Sequence, residues 1–188
     1  MFDTLDDVRA DIDRRLAKAA SDRRSPMHVP AVATADADVR AMVLRGWDAA
    51  RRILRFHTDA RSPKAATVGA GAPVGALFYD KAEKIQLRCR GTGRIETGAA
   101  ADGPWDAGDN FARRCYLGAG PGEELDAPGS GLPPEYEGVE PDDDALQPAR
   151  NNFAVLLVRV ERFDWLWLAH TGHRRAMIEG AQGRWVTP

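Results

Sequence analysis

Residues 39–64 read VRAMVLRGWDAARRILRFHTDARSPK. Two mainly apolar runs, Val39 to Trp47 and Arg51 to Thr58, are joined by Asp48-Ala49-Ala50, a link short enough for a hairpin. After Thr58 the chain must turn, because Ser62-Pro63-Lys64-Ala65-Ala66 reads as a helix start. Ser62 can serve as the N-cap and Pro63 suits the first helical position. The order is therefore strand, hairpin, strand, tight connection, helix. Arg40 and Arg45 lie five apart on one strand, so ideal alternation sends them to opposite faces. A bulge, or a ligand wrapping the strand edge, is needed for both to reach one group. The connection Thr58–Lys64 ends on free backbone N–H groups, which suit an anion. Thr58 and Ser62 can add hydroxyl hydrogen bonds, and Arg61 or Lys64 adds charge. The competing reading of these residues is a solvated basic surface.

Working outward, residues 3–20 read as a helix. Leu5, Val8, Ile12 and Leu16 recur at helical spacing, with Asp3 or Thr4 as the cap. Ser25, Pro26 and Pro30 end that region, and Val32 to Thr34 is a short strand. Beyond the helix start at Ser62, Val74 to Tyr79 is a buried strand. Ile85 to Ile95 is a long alternating one, with Gly91 and Gly93 marking a bend or bulge. Pro104 to Leu117 reads as helical. Residues 118–150 are rich in Gly, Pro and acid and read as a long surface loop. Phe153 to Val160, Asp164 to Ala169 and Arg174 to Glu179 follow as strands, before a tail ending in Trp185. About seven closely spaced strands favour antiparallel pairing in a closed or partly closed barrel, with helices on the periphery. The rival architecture is an open α+β sheet.

The chain has 188 residues, enough for one domain with its own core, here 1–188 with 1–25 as a helical N-terminal segment. Its net charge of −2 argues against a general nucleic-acid binder, so any phosphate recognition must be local. Cys89 and Cys115 have no zinc spacing and form no secreted disulfide framework; reduced thiols and a cytoplasmic location are expected. The acidic N-terminus lacks a signal-peptide core, and no stretch has the roughly 20 apolar residues of a membrane span. His28, His57, His170 and His173 show no metal-ligand spacing, so no metal is expected. Trp165 and Trp167 alternate on one strand face and read as packing residues rather than a stacking platform. Asp142-Asp143-Asp144 reads as solvated loop, and Gly118-Ala119-Gly120-Pro121-Gly122 as a helix stop.

Four motifs in order carry a resemblance. Arg40-Ala-Met-Val-Leu-Arg45, Phe56-His57-Thr58, Ser62-Pro63-Lys64-Ala65 and Gln86-Leu-Arg88-Cys-Arg90-Gly91 resemble the flavin-binding half of the pyridoxamine 5′-phosphate oxidase family. The stretches around Asp164–Leu168 and Gly172–Ala176 are similar to the family's C-terminal part. The resemblance implies a mostly β chain with peripheral helices, a six-stranded antiparallel split β-barrel. It also implies a homodimer with FMN sites at the interface. By position, Arg40, Arg45, Ser62 and Lys64 would hold the FMN phosphate, with Arg61 as an extra contact. His57, Thr58 and the Met42-Val43-Leu44 backbone would line the ribityl chain and ring, and Gln86 would approach from the sheet, from either subunit. The function implied is an FMN-dependent oxidoreductase acting on a small molecule; the alternative is a non-catalytic flavin-binding or redox-sensing protein. Some positions depart from the family pattern. Pro63 stands where a basic residue is usual, and Ala33–Asp38 lacks the usual D-G-x-P turn. His173-Arg174-Arg175 replaces the substrate-facing R-x-H pair, so these three are candidates for orienting a substrate that stays unassigned.

Overall fold

In the computed structural model, which describes residues 2–188, nine antiparallel strands form one sheet. The first helix, α1 (Leu5–Ser21), starts as its sequence dictates. The Thr4 hydroxyl accepts from the Asp7 N–H, and the Asp7 carboxylate accepts from the Thr4 N–H. Its apolar stripe, Val8, Ile12, Leu16 and Ala19, is fully buried. The larger of these side chains each stabilise the packing by roughly 1.5–3 kcal/mol. The helix lies against β3 (Leu44–Asp48) and the hairpin of β8 (Arg174–Glu179) and β9 (Gln182–Val186). A buried polar network fastens it there. The Asp11 carboxylate accepts from Arg15 Nε at 2.8 Å and from the Trp165 indole at 2.9 Å, and Arg15 reaches Asp80 at 3.0 Å. Trp165 is thereby a core residue, with Phe2 edge-on at 4.8 Å.

The remaining strands are β1 (Ala31–Ala33), β2 (Val39–Ala41), β4 (Ile53–Asp59), β5 (Ala72–Asp80), β6 (Ile85–Glu96) and β7 (Phe153–Trp167). Their order is β2-β1-β5-β6-β7-β4-β3. The two ends of that order, β2 and β3, are consecutive in the chain. The stretch read from sequence as one strand, 39–47, is two short strands separated by Met42 and Val43. One side of this stretch pairs with β1. That pairing continues through Met42 N–H to the Pro30 carbonyl and Leu44 N–H to the His28 carbonyl, at 3.1 and 2.9 Å. The other side pairs with β4. Counted as one, β2–β3 closes a ring of six strands, and no barrel edge is left open for pairing.

Strand β7 is the second organiser. β6 runs along one side of it for its whole length, while the other side takes β4 over its first half and β8 over its second. The sequence reading divided this strand in two at Glu161. The chain instead absorbs the interruption as a bulge: Arg90 pairs with Arg162 and Gly91 with Val160, leaving Glu161 as the extra residue. The reading also missed β9, a five-residue strand in the tail.

The expected single helix at 104–117 is a chain of short turns: α3 (Asp102–Asp106), α4 (Asn110–Arg113) and a 3₁₀ turn at Arg114–Leu117. The segment 118–150 is mostly irregular, but α5 (Asp143–Leu146) and the 3₁₀ turn that follows bury Leu146 and Ala149. They pack with Ala101, Trp105, Phe153 and Val155 as a second apolar cluster. That cluster covers the face of β7 turned away from the barrel core. No helix among the described residues is long and apolar enough to cross a membrane.

The bulge makes Gly91 irreplaceable: a Cβ there would lie 1.9 Å from the Arg159 carbonyl oxygen. Gly91→Ala should destabilise the fold by about 2–4 kcal/mol, whereas Gly75→Ala, whose Cβ meets nothing within 4 Å, should stay within about 0.5 kcal/mol. Urea-denaturation midpoints of the two variants test this; equal midpoints would deny the bulge its role.

Candidate functional site

A cavity of about 310 Å³ lies between the β2–β3 step, the outer face of β4 and the turns at 104–116. Its walls differ in chemistry. Arg40, Arg45 and Lys64 line it, as do Pro104, Trp105, Tyr116 and Phe153; Lys64 lies near Arg40, and Arg45 near His57 and Tyr116. Met42, Val43 and His57 line it too.

The meeting of Arg40 and Arg45 follows from the closure of the barrel. The break at Met42-Val43 and a register shift between Leu44 and Gly46 undo strict alternation, so Arg40 and Arg45 both line the cavity. Arg40 is held by the turn before it: its guanidinium donates to Thr34 Oγ1 at 2.9 Å and to the Asp38 carboxylate. Thr34 in turn donates to Asp36, which also accepts from Thr67 of α2 (Pro63–Val68). Arg45 and Lys64 have no side-chain hydrogen bond or ion pair among the described residues. Burial lowers the Lys64 pKa, and the nearby Arg40 charge lowers it further. Three cations facing one space, two of them unpaired, are an arrangement completed by an anion with several acceptor oxygens. A phosphate monoester fits these cations. The aromatic lining is apolar, and the imidazole Nε2 of His57 is buried without a partner.

Of the residues expected at this site, the structure brings together Arg40, Met42, Val43, Arg45, His57 and Lys64. Others lie apart from it. Leu44 is fully buried and points into the barrel core. Thr58 and Ser62 are buried next to the cavity without lining it, and the Ser62 hydroxyl donates to the Asp59 carbonyl at 2.7 Å rather than capping α2. Arg61 is not in the cavity either. It forks onto Asp59 at 3.0 and 2.7 Å and donates to the Gly118 carbonyl at 2.9 Å, so it ties down the start of the 118–150 segment.

Gln86 and His173-Arg174-Arg175 do not line the cavity; they lie at the far end of β7, although across β5 and β1 Gln86 is only three strands from Val43. Gln86 pairs with Leu166, as does Arg175, and Arg174 pairs with Trp167. The cavity is at the other end of β7, at Phe153. Between positions 153 and 166 the strand runs roughly 40 Å at about 3.3 Å per residue. Arg175 and Arg88 share the Asp164 carboxylate, which these guanidiniums hold below the usual carboxylate range although burial opposes them. Arg174 pairs with Asp3 at 2.7 Å.

Sequence reasoning did not foresee that Tyr116 meets Trp105 and Phe153 in an aromatic wall. Trp105, Tyr116 and Phe153 meet with ring centroids 5.1–6.0 Å apart, and His57 joins Phe153 edge-on at 5.0 Å. The only local signal was the pair Pro104-Trp105, since these contacts join positions far apart in the chain. Cys115 also lines the cavity, but burial and the nearby Asp59 carboxylate raise its thiol pKa, and it donates to the Ala112 carbonyl.

Burial, then the charges of Arg45 and Arg55, lower His57 to about 4. An unfolded histidine titrates near 6.5, so the unfolded chain takes up the proton first as pH falls. His57 therefore stabilises the fold least at low pH, and its contribution is lost between about pH 6.5 and 4. His57→Phe should shrink the drop in urea midpoint between pH 7 and pH 5; an undiminished drop would mean that His57 is not held neutral.

Comparison with known proteins matches this geometry. Residues 9–97 match the model of the pyridoxamine 5′-phosphate oxidase FMN-binding domain. A search of curated proteins finds no match. Among solved structures, a pyridoxamine 5′-phosphate oxidase-related, FMN-binding protein from Nostoc punctiforme superposes with a TM-score of 0.71 at 22% identity, over 96% of each chain. PhzG from Burkholderia lata, in complex with tetrahydrophenazine-1-carboxylic acid, gives 0.68 at 17% identity, over 95% of this chain and 91% of its own. A general stress FMN/FAD-binding protein from Xanthomonas citri gives 0.52 at 16%, over 87% and 92%. At these identities the structures establish a shared split-barrel fold. The family match covers Arg40, Arg45 and Lys64 and stops short of the wall at 104–116. Residues 9–97, just under half of the chain, therefore match the FMN-binding domain of the pyridoxamine 5′-phosphate oxidase family, and FMN is the cofactor that this match supports.

Proposed function

We propose that the chain is an FMN-dependent oxidoreductase that works as a homodimer on a small molecule. One observation carries the cofactor's orientation. Arg45 and Lys64 are unpaired cations that line, with Arg40, a cavity also lined by Trp105, Tyr116 and Phe153. Arg45 would grip the phosphate as a fork and Lys64 as a point charge. Met42 and Val43 would flank the ribityl chain with backbone and apolar side chain, and His57 would meet a polar atom of the flavin with its unpartnered Nε2. The Trp105–Tyr116–Phe153 wall would keep water from the ring. When bound, FMN supplies hydride acceptance and the return of electrons to an oxidant; the protein contributes position and electrostatics.

The dimer reading rests on β7. Gln86 and His173–Arg175 do not line the cavity of their own chain, and a second copy that brings them alongside would let them act on its flavin. The exposed outer faces of β2 and β5, with Val39, Leu77 and Tyr79, would be covered in such a pair. On this reading His173 orients the substrate, while Arg174 and Arg175 are already engaged by Asp3 and Asp164. That engagement favours a second reading, a flavin-binding protein without turnover.

Arg45→Ala and Lys64→Ala should each weaken FMN binding by about 1–3 kcal/mol, measured by quenching of free FMN fluorescence. Unchanged affinity in both would place the phosphate elsewhere. Anaerobic mixing of the FMN-loaded protein with NADPH, and separately with pyridoxamine 5′-phosphate, decides between the two readings. Loss of the flavin's visible absorption with either donor supports turnover; no loss with both selects the binding protein. Sedimentation at twice the chain mass is expected, and a monomer would remove the dimer reading.

A further inference from the structure

Arg40 and Lys64 line the cavity from different elements, β2 and α2. Their charges repel: after burial, the Arg40 charge is what lowers the Lys64 pKa. Repulsion favours a wider spacing, so a fixed grip needs a tie between the two elements. That tie runs through the turn from β1 to β2. Arg40 donates to the Thr34 hydroxyl at 2.9 Å, and this buried hydroxyl donates to Asp36 Oδ1 at 2.6 Å. The second oxygen of the same carboxylate accepts from the Thr67 hydroxyl at 3.1 Å. Thr67 follows Lys64 by three positions, so the two are neighbours on one face of α2. Among the described residues no other hydrogen bond joins the turn to α2. Asp38 holds Arg40 from its other side. The bonds to Thr34 and Asp38 use two N–H groups of the guanidinium and leave the others for a ligand.

The turn is held in a shape that costs energy. Ala37, next to Asp36, has φ 64°, in the left-handed region that favours glycine. Its N–H bonds the Thr34 carbonyl at 3.0 Å, and the Thr34 N–H bonds the Asp38 carbonyl at 3.1 Å. A conformation of this kind persists where neighbouring bonds over-determine it, and the Asp36 bridge is one of them. The bridge also has an electrostatic sign. A carboxylate near a phosphate site weakens anion binding by its charge alone, so its presence there calls for another role. Building on the FMN-dependent reading above, we propose that Asp36 and Thr67 are positioning residues for the cofactor phosphate. They touch no ligand; they fix the spacing of Arg40 and Lys64 at which both meet one phosphate.

The test compares FMN with riboflavin, which lacks the phosphate. The full chain, freed of flavin, is titrated with each by quenching of flavin fluorescence, unaltered and as Asp36→Ala, Thr67→Val and Thr67→Ser. FMN affinity should fall about three- to tenfold in Asp36→Ala and Thr67→Val, and riboflavin affinity by less than about twofold. Thr67→Ser, which keeps the hydroxyl, should bind FMN as the unaltered protein does. The phosphorus NMR resonance of bound FMN should move toward that of free FMN in Thr67→Val, while the flavin's visible absorption stays unchanged. The proposal is overturned if Asp36→Ala binds FMN as tightly as the unaltered protein or more tightly, since the carboxylate would then act through its charge alone. It is overturned too if FMN and riboflavin affinities fall together, which is general damage to the cavity, or if Thr67→Ser is as weak as Thr67→Val. An unaltered protein with no affinity for FMN would overturn the cofactor reading and this proposal with it; the other failures leave the cofactor reading standing.

Discussion

The ten residues Val39–Asp48 hydrogen-bond on one side to β1 and on the other to β4, strands that would otherwise be the two bare edges of the sheet. Backbone groups at a sheet edge must find partners or remain in water, so a single stretch that serves both edges closes the barrel. To do so it bends at Met42-Val43 and slips register at Leu44. The same distortion puts Arg40 and Arg45 on one cavity, which regular pleating would forbid. Barrel closure and the meeting of Arg40 and Arg45 on one cavity are thus two consequences of one backbone constraint.

Charge around that cavity is distributed unevenly for a physical reason. Arg61, Arg113, Arg114 and Arg150 hold the irregular segment 98–152 together by donating to backbone carbonyls at Gly98, Trp105, Asp106, Gly118, Tyr136 and Val139. A segment with so little helix or strand leaves carbonyls unpaired, and five-donor guanidiniums satisfy them. The Arg45 and Lys64 side chains make no such bonds to backbone carbonyls.

Strand β7 gives the molecule two ends. Its first half carries the cavity, and its second half carries the Asp164 cluster and α1. Trp165 belongs to the second half, where the Asp11–Arg15–Asp80 network fixes the helix that covers the core. The bulge opposite Gly91 lies between the halves and lets the strand change partners from β4 to β8 without breaking.

Local chemistry made much of this legible. The Thr4 cap and the Val8–Leu16 stripe specify α1, the turn after Thr58 specifies the start of α2, and ordered motifs from Arg40 to Gln86 point to the flavin-binding family whose model matches residues 9–97. Glu161 and Arg162 made one strand look like two, because a bulge is visible only against its partner strand. Which arginines are free was also hidden. Arg61 and Arg45 look alike as residues, yet Asp59 and the Gly118 carbonyl occupy the first while the second has no partner. The aromatic wall joins Trp105, Tyr116 and Phe153 across nearly fifty positions. By itself, then, the sequence determined the elements and the residue types of the cofactor grip, since these depend on neighbours a few positions away. Tertiary structure alone decided which charges remain unpaired and which rings share a wall, since pairing and packing are settled between groups distant in the chain.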